Sequence, residues 1–541
     1  MSTVKSVSLL FAFGALAALS AAPLNLWVCG FVMLFPYFYF LENSRPGFKS
    51  SLLWGYLFTL SYNVFISSWL LYTIVVFGHI HWTAAIVIFL LYTLITSSRY
   101  VFFILLVQLW NFLQKQPSLK FSRIVANRYF SWTFCWGMSE YFGWQLFHAL
   151  GANHAGGDHL LIQSADLVGV HGLSLFWFLI NLALYDLLKT FFPEKNPSWQ
   201  RTILQNKGII FTATLALCLH LYGFFAAGYY QRKNNGYEKK RIALVQGNTP
   251  LAFEANRSVM DQVLATLQVQ VDLTTNLLEK SVAENKKPDL VVWSESSVPF
   301  LSYQTPGYFT RAMENLQGKY EVPMIINDVY LETVNGRQRY YNNLWLLNEK
   351  GKPLGYYHKI ELLPFGEFIP FADLYPEIYD LVPEISGFTP GTEKKILSLN
   401  SLKIIPSICY ELLSPTFTLD FFKRSGGQGQ VIINLTNDTW FGLTTENALH
   451  MKASSLRAVE LRLPILRATN SGISGYVDTT GQIHEPTKSD TRDTRIYEVP
   501  IPDKSHSPYS VVGLWPFRIF LLVGGFFWLT NLGSFFRARK K

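Results

Sequence analysis

Hydrophobic and polar positions divide the 541-residue chain into three zones. Residues 1–230 are mostly long apolar runs, 231–508 alternate short apolar runs with polar stretches, and a last apolar run occupies roughly 511–536. A helix needs about 20 mostly apolar residues to cross a bilayer. Runs of that kind begin near Val7, Leu26, Leu52, Thr83, Phe130, Leu167, Gly208 and Val511. The pattern therefore predicts a membrane domain of about seven transmembrane helices over 1–230. A soluble domain follows over 231–508, then a C-terminal transmembrane helix with a basic tail over 509–541.

Charge in the gaps between runs sets an orientation. Residues 21–25, 78–82 and 151–166 hold no Lys or Arg. The alternate gaps hold Arg45 and Lys49, then Lys115, Lys120, Arg123 and Arg128, then Lys189, Lys195, Arg201 and Lys207. The chain ends in Arg537, Arg539, Lys540 and Lys541. Positive loops stay on the cytoplasmic side, which places both termini there and the soluble domain outside. Lys233, Lys239, Lys240 and Arg241 do not reverse this, because long domains translocate largely regardless of charge. The first run, with Lys5 before it and small residues at its end, also fits a cleaved signal peptide; a retained span is the preferred reading. Arg99 interrupts the fourth run and is expected to snorkel near the cytoplasmic helix end.

Within 231–508, β-rich runs fall at 241–247, 289–293, 322–327, 343–347, 402–409 and 430–436, with helical patterns at 259–284 and 446–463. The alternation predicts an α/β sandwich whose sheets are buried under helices. Glycines 426, 427 and 429 precede a strand and no helix, so they form a turn and no phosphate loop.

Composition then narrows the chemistry. Half the residues are hydrophobic and 16% aromatic, and the net charge of +9 lies largely in the short loops. This is the charge distribution of a membrane protein, and it argues against a nucleic-acid partner. Of four cysteines, Cys29, Cys135 and Cys218 lie in apolar runs, leaving Cys409 alone in the soluble domain. One cysteine cannot staple a domain. Three reactive side chains end apolar runs: Glu295 after Leu-Val-Val-Trp-Ser, Lys359 after Tyr-Tyr-His, and Cys409 after Ile-Ile-Pro-Ser-Ile. As a set they support thiol chemistry. A carboxylate can take the thiol proton on attack, and an ammonium can stabilise the oxyanion that follows.

Glu, Lys and Cys in this order and these contexts, Trp-Ser-Glu295-Ser, His-Lys359 with Pro-Phe-Gly-Glu367, and Ile-Cys409-Tyr-Glu411, resemble the nitrilase superfamily and, within it, the apolipoprotein N-acyltransferases. Val245-Gln-Gly-Asn248, Tyr341-Asn342, Asn437-Asp-Thr-Trp-Phe-Gly442, His450, Arg457, Glu460 and Arg467-Ala-Thr-Asn470-Ser-Gly472 extend the likeness over nearly the whole chain. The resemblance implies a nitrilase-like αββα sandwich outside a bacterial inner membrane, in the periplasm. It implies that Cys409 takes an acyl chain from a phospholipid, typically phosphatidylethanolamine, as a thioester. The acyl chain would then pass to the amine of a diacylglyceryl-cysteine on an apolipoprotein. Glu295 would act as base and acid and Lys359 would support the oxyanion. Glu367 would orient the lysine or the thiol, Tyr410 and Glu411 would shape the pocket, and Asn342 would hold the region beside the lysine. No metal or organic cofactor is implied, and the partners are membrane lipids, the acyl donor and the apolipoprotein acceptor.

The chain departs from that pattern in two places. Phe253 stands where some members carry a Trp after the opening motif. An outer loop reads Gly151-Ala-Asn-His-Ala-Gly-Gly-Asp-His159 in place of the family's Gly-Phe-Pro-Trp. With His148, His154, Asp158 and His159, and with His79 and His81 in another outer loop, a metal site is conceivable. The spacing fits no helical ligand pair, and solvated histidines, or an altered headgroup or acceptor contact, are the preferred reading. Phe365, Phe368, Ile369, Phe371, Leu374, Tyr375 and Tyr379 fit a greasy lid over an acyl groove or plain core. Two other readings stay open: a membrane-tethered amidase or nitrilase, and a non-catalytic membrane scaffold or transporter.

Overall fold

The computed structural model describes the chain except residues 1–2, 45–46, 116–126, 145–149, 192–205, 251–257, 299–306, 365, 370–386, 505–506 and 540–541. It divides into two compact units, residues 1–75, 80–228 and 507–541 in one, and 76–79 with 229–506 in the other.

The first unit is helical. Among its described residues, Trp82–Gln114, Leu161–Phe191 and Lys207–Gly236 are long and apolar enough to cross a membrane. A fourth candidate is the pair Phe48–Ile66 and Trp69–Phe77, bent by 70°. Val4–Ser20 and Trp515–Thr530 are shorter apolar helices. Among the described residues, the eight apolar runs thus yield three or four helices of spanning length. The run starting near Leu26 breaks into Trp27–Gly30 and Phe35–Ser44, and the run starting near Phe130 forms a helix of only 15 residues, Arg128–Phe142. Gly169 adopts φ +67° inside Ala165–Phe191, where a Cβ would collide with the Tyr509 ring, so the kink there requires glycine.

Two sequence expectations fail in this unit. Arg99 does not snorkel: it is buried, its Nε has no hydrogen-bond partner among the described residues, and it faces the charge of the equally buried Glu140. Glu140 in turn accepts a hydrogen bond from Ser174 Oγ at 2.7 Å. A run with no other charge gives no sign of such an inward partner on a different helix. The loop 151–159 is also not a solvated histidine cluster. His154 is buried, 2.7 Å from Ser20 Oγ through Nδ1 and 3.3 Å from Tyr62 Oη through Nε2. Asp158 Oδ1 accepts from the N–H groups of Leu160 and Leu161, and Oδ2 pairs with His220 at 2.9 Å. These side chains tie the loop to three neighbouring helices, and His159, His79 and His81 are the exposed histidines among the described residues. His148 lies outside the described residues.

The second unit is a sandwich of two six-stranded sheets. The first holds β1 (Lys239–Gln246), β2 (Leu290–Trp293), β3 (Met324–Val334), β4 (Arg337–Leu347), β5 (Pro353–His358) and β12 (Asp493–Pro500), in the order β12-β1-β2-β3-β4-β5. The second holds β6 (Leu397–Leu399), β7 (Leu402–Ile408), β8 (Val431–Thr436), β9 (Ile465–Thr469), β10 (Gly475–Val477) and β11 (Ile483–His484), in the order β11-β10-β9-β8-β7-β6. The inner trios β1-β2-β3 and β7-β8-β9 are parallel and the flanking pairs antiparallel. Strands with side chains buried on both faces read as apolar runs, as 242–245 in β1, 290–293 in β2 and 431–433 in β8 do. Ala243, Val245, Val291, Trp293, Met324 and Ile326 pack on one face against the helices Val259–Ala283 and Tyr308–Tyr320.

Candidate active site

In a parallel arrangement of this kind, reactive groups gather at the carboxyl ends of the strands. Glu295 lies two residues beyond β2, Lys359 one beyond β5, and Cys409 directly after β7. The chain turns sharply at Cys409, which has φ +53° and opens the 3₁₀ turn Cys409–Leu413. A non-glycine residue in that region costs about 1–3 kcal/mol and must be over-determined by its surroundings. The Asn434 amide supplies part of that restraint by donating to the Cys409 carbonyl at 3.1 Å.

Glu295, Lys359 and Cys409 line one cavity of about 170 Å³, together with Asn342, Glu367, Trp440 and Phe441. Its polar groups form one connected set. Lys359 Nζ lies 2.8 Å from Glu367 Oε2 and 3.5 Å from Glu295 Oε1. The Asn342 amide donates to Glu295 Oε1 at 2.8 Å and to Glu367 Oε1 at 2.9 Å, so one side chain spaces the two carboxylates. Glu295 Oε2 accepts the backbone N–H of Asn437 at 2.8 Å. Asn327 fixes Asn342 from behind, donating to its Oδ1 at 2.8 Å and accepting Ser296 N–H at 2.7 Å.

Burial governs the proton affinities. Lys359 is 1% exposed and Cys409 and Glu295 6% each, so none is solvated as a surface charge would be. Burial pushes the Cys409 thiol well up; Lys359 opposes the rise while Glu295 and Glu367 add to it, so the sulfur holds its proton at neutral pH. Glu295 is raised above the usual carboxylate range by burial and by Glu367, against Lys359 and the hydrogen bonds from Asn342 and Asn437. Burial alone would lower Lys359, but Glu367, Cys409 and Glu295 outweigh it and keep the ammonium charged.

The remaining residues named from the sequence lie around this centre. Glu411 is fully buried behind the pocket and accepts four hydrogen bonds, from Tyr357 Oη, Ile360 N, Glu361 N and Ile408 N. It ties the end of β5 to the end of β7, and so Lys359 to Cys409. Tyr410 Oη donates to the Leu362 carbonyl at 3.0 Å. Of the aromatic stretch, Phe368 and Ile369 are described; Phe365, Phe371, Leu374, Tyr375 and Tyr379 lie outside the described residues, as does Phe253. Asn327, Asp328 and the Asn437 N–H were not singled out from the sequence, although all contribute to the pocket or to its carboxylate. A backbone donor leaves no trace in a side-chain pattern, and Asn327 and Asp328 sit mid-strand, where polar residues ordinarily read as an edge.

The family model for carbon-nitrogen hydrolases matches residues 241–504, and that for the apolipoprotein N-acyltransferase N-terminal domain matches residues 13–183. Apolipoprotein N-acyltransferase 2 of Leptospira interrogans is 26% identical over 87% of this chain and 86% of its own. Apolipoprotein N-acyltransferase 2 of Treponema denticola is 31% identical over 67% of this chain and 68% of its own. Among solved structures, Saccharomyces cerevisiae Nit3 of the nitrilase superfamily aligns at 18% identity and TM-score 0.37, over 51% of this chain and 95% of its own. A nitrilase-like sandwich and a bundle of apolar membrane helices, each matched by its own family model in one chain, make this protein a member of the apolipoprotein N-acyltransferase family.

Proposed function

We propose that the protein moves an acyl chain from a phospholipid to the amino terminus of a diacylglyceryl-cysteine apolipoprotein, with Cys409 as the covalent carrier. The observation that carries this reading is the convergence of one thiol, one carboxylate and one ammonium in a single buried cavity. In the first half, Cys409 Sγ attacks the ester carbonyl of the phospholipid as Glu295 accepts the thiol proton. Lys359 faces the oxyanion that forms. The carbonyl re-forms, the ester C–O bond breaks, and Glu295 returns the proton to the departing lysophospholipid hydroxyl. In the second half, the acceptor amine attacks the thioester carbonyl, the C–S bond breaks, and Glu295 carries a proton from the nitrogen to the departing sulfur, restoring the thiol. The product is an amide, and no redox partner is needed. Glu367 and Asn342 hold Lys359 and Glu295 in place for both halves.

The donor is proposed to be phosphatidylethanolamine. The pattern of basic gaps supports a bacterial inner-membrane protein with residues 231–508 in the periplasm, between the membrane helices of 1–230 and that of 509–541.

Incubating the purified protein with phosphatidylethanolamine vesicles and digesting it tests the reading. The expected result is an acyl mass on the Cys409 peptide that hydroxylamine removes and a diacylated lipopeptide discharges as an amide. Cys409→Ala should fold, carry no acyl group and transfer none. Acyl transfer by that variant would refute the thioester route.

A further inference from the structure

Four ionisable side chains meet in the protein interior behind the pocket wall: Asp438, Arg467, His450 and Glu446, none more than 2% exposed. They come from three elements, the short turn Asp438–Phe441, the helix Glu446–Leu461 and strand β9. The Arg467 guanidinium donates to Asp438 Oδ1 at 3.1 Å and Oδ2 at 2.8 Å, and to the Ile473 carbonyl at 2.8 Å. Thr436 Oγ1 donates to Asp438 Oδ1 at 3.0 Å. His450 Nδ1 lies 3.5 Å from Asp438 Oδ1 and 3.4 Å from Glu446 Oε1. Gly472 closes the remaining side, where a Cβ would collide with the Asp438 carboxylate.

Asp438, Glu446 and His450 could group around a metal ion, but Arg467 already supplies a cation on the same Asp438 oxygens. With Arg467 positive and Asp438 negative, one proton shared between Glu446 and His450 makes the group neutral, and neutrality is what a dry interior demands. Burial alone would raise Asp438, but Arg467 and His450 hold it well below the usual carboxylate range. Glu446 is raised, chiefly by burial and with Asp438 adding. His450 is raised because Asp438 and Glu446 outweigh its burial and the Arg467 charge.

The backbone joins this group to the chemistry. The residue before Asp438 is Asn437, whose N–H is one of the two hydrogen-bond donors on Glu295 in addition to Lys359. The residues after it include Trp440 and Phe441, which line the cavity. We propose that the quartet Asp438, Arg467, His450 and Glu446 is a positioning device for the general base, pinning residue 438 so that the Asn437 N–H stays aimed at Glu295. The inference rests on the reading of Glu295 as that base. The Asn437 bond favours the ionised carboxylate. Loosening residue 438 weakens that bond and leaves Glu295 to Lys359, Asn342 and the opposing charge of Glu367.

The test measures single-turnover acylation of Cys409 by phosphatidylethanolamine against pH, in the full-length enzyme, for wild type, Glu295→Gln, Asp438→Asn, His450→Gln and Glu446→Gln. Asp438→Asn strands the Arg467 charge and risks misfolding, so the other two quartet variants carry the decision. In His450→Gln the acid limb should move up by about one pH unit, with the KM for phospholipid within about twofold of wild type. Glu446→Gln, which keeps the shape and leaves Arg467 and Asp438 balanced, should lie nearer wild type. If His450→Gln lowers thermal stability but keeps the wild-type pH profile, the quartet is only structural and the inference falls. If Glu295→Gln acylates at the wild-type rate, the base assignment itself falls, and the inference with it.

Discussion

In the proposed mechanism the Cys409 thiol, whose proton affinity burial raises, gives its proton to Glu295 as it attacks. Glu295 must be ionised to take that proton. Its affinity is raised chiefly by burial, so the acylation rate should climb through an inflection above the ordinary glutamate value of about 4.3 and fall as pH drops through it. Glu295→Gln should abolish acylation across the whole range. Lys359→Met should slow it by about 10²–10³, the cost of removing an oxyanion donor, and should leave Glu295 and Glu367 facing each other unscreened. A Lys359→Met rate within threefold of wild type, measured under single turnover, would remove the ammonium from the mechanism. These three side chains were legible as a set, each at or just past the end of a strand and in contexts that resemble one family. The amide of Asn437 was not, because backbone donors belong to geometry and carry no letter of their own.

Among the secondary-structure elements, the sheets hold the site together chiefly through Glu411. Its four donors come from the ends of β5 and β7, which lie on different sheets. Glu411→Gln would turn an amide NH₂ toward at least one of these N–H groups. Leaving a buried donor unpaired costs about 1–3 kcal/mol, and the loss should appear as a lower Tm together with slower acylation, since Lys359 and Cys409 lose their common brace. Unchanged Tm and rate would show that the two sheets keep register without it. The strands at 290–293, 402–408 and 431–436 were readable from their adjacent apolar and β-branched residues. Strands β10 and β11, three and two residues long, and the helix Tyr308–Tyr320 escaped the pattern, being short or strongly mixed in polarity. The sequence marked Glu411 as a neighbour of Cys409 but could not show that its carboxylate is spent on backbone N–H groups and the Tyr357 hydroxyl at the ends of two strands.

For the molecule as a whole, apolar runs gave the division into a helical unit and a sandwich, but composition cannot show where a run breaks, as it does between Trp27–Gly30 and Phe35–Ser44. They also missed the inward turn of Arg99 toward Glu140. The proposed orientation has its own check: an alkaline phosphatase reporter inserted near Asn235 should be active, and one joined after Lys541 inactive. The opposite pattern would reject it. One further consequence follows from the state of Cys409. Peroxides, disulfides and alkylating agents react with thiolates and hardly with thiols, and residues 231–508 contain no second cysteine with which it could cross-link. A thiol whose proton burial holds, inside a cavity of about 170 Å³, should therefore react only slowly with such reagents at neutral pH, and labelling of Cys409 by iodoacetamide at the rate of a free thiol would show otherwise.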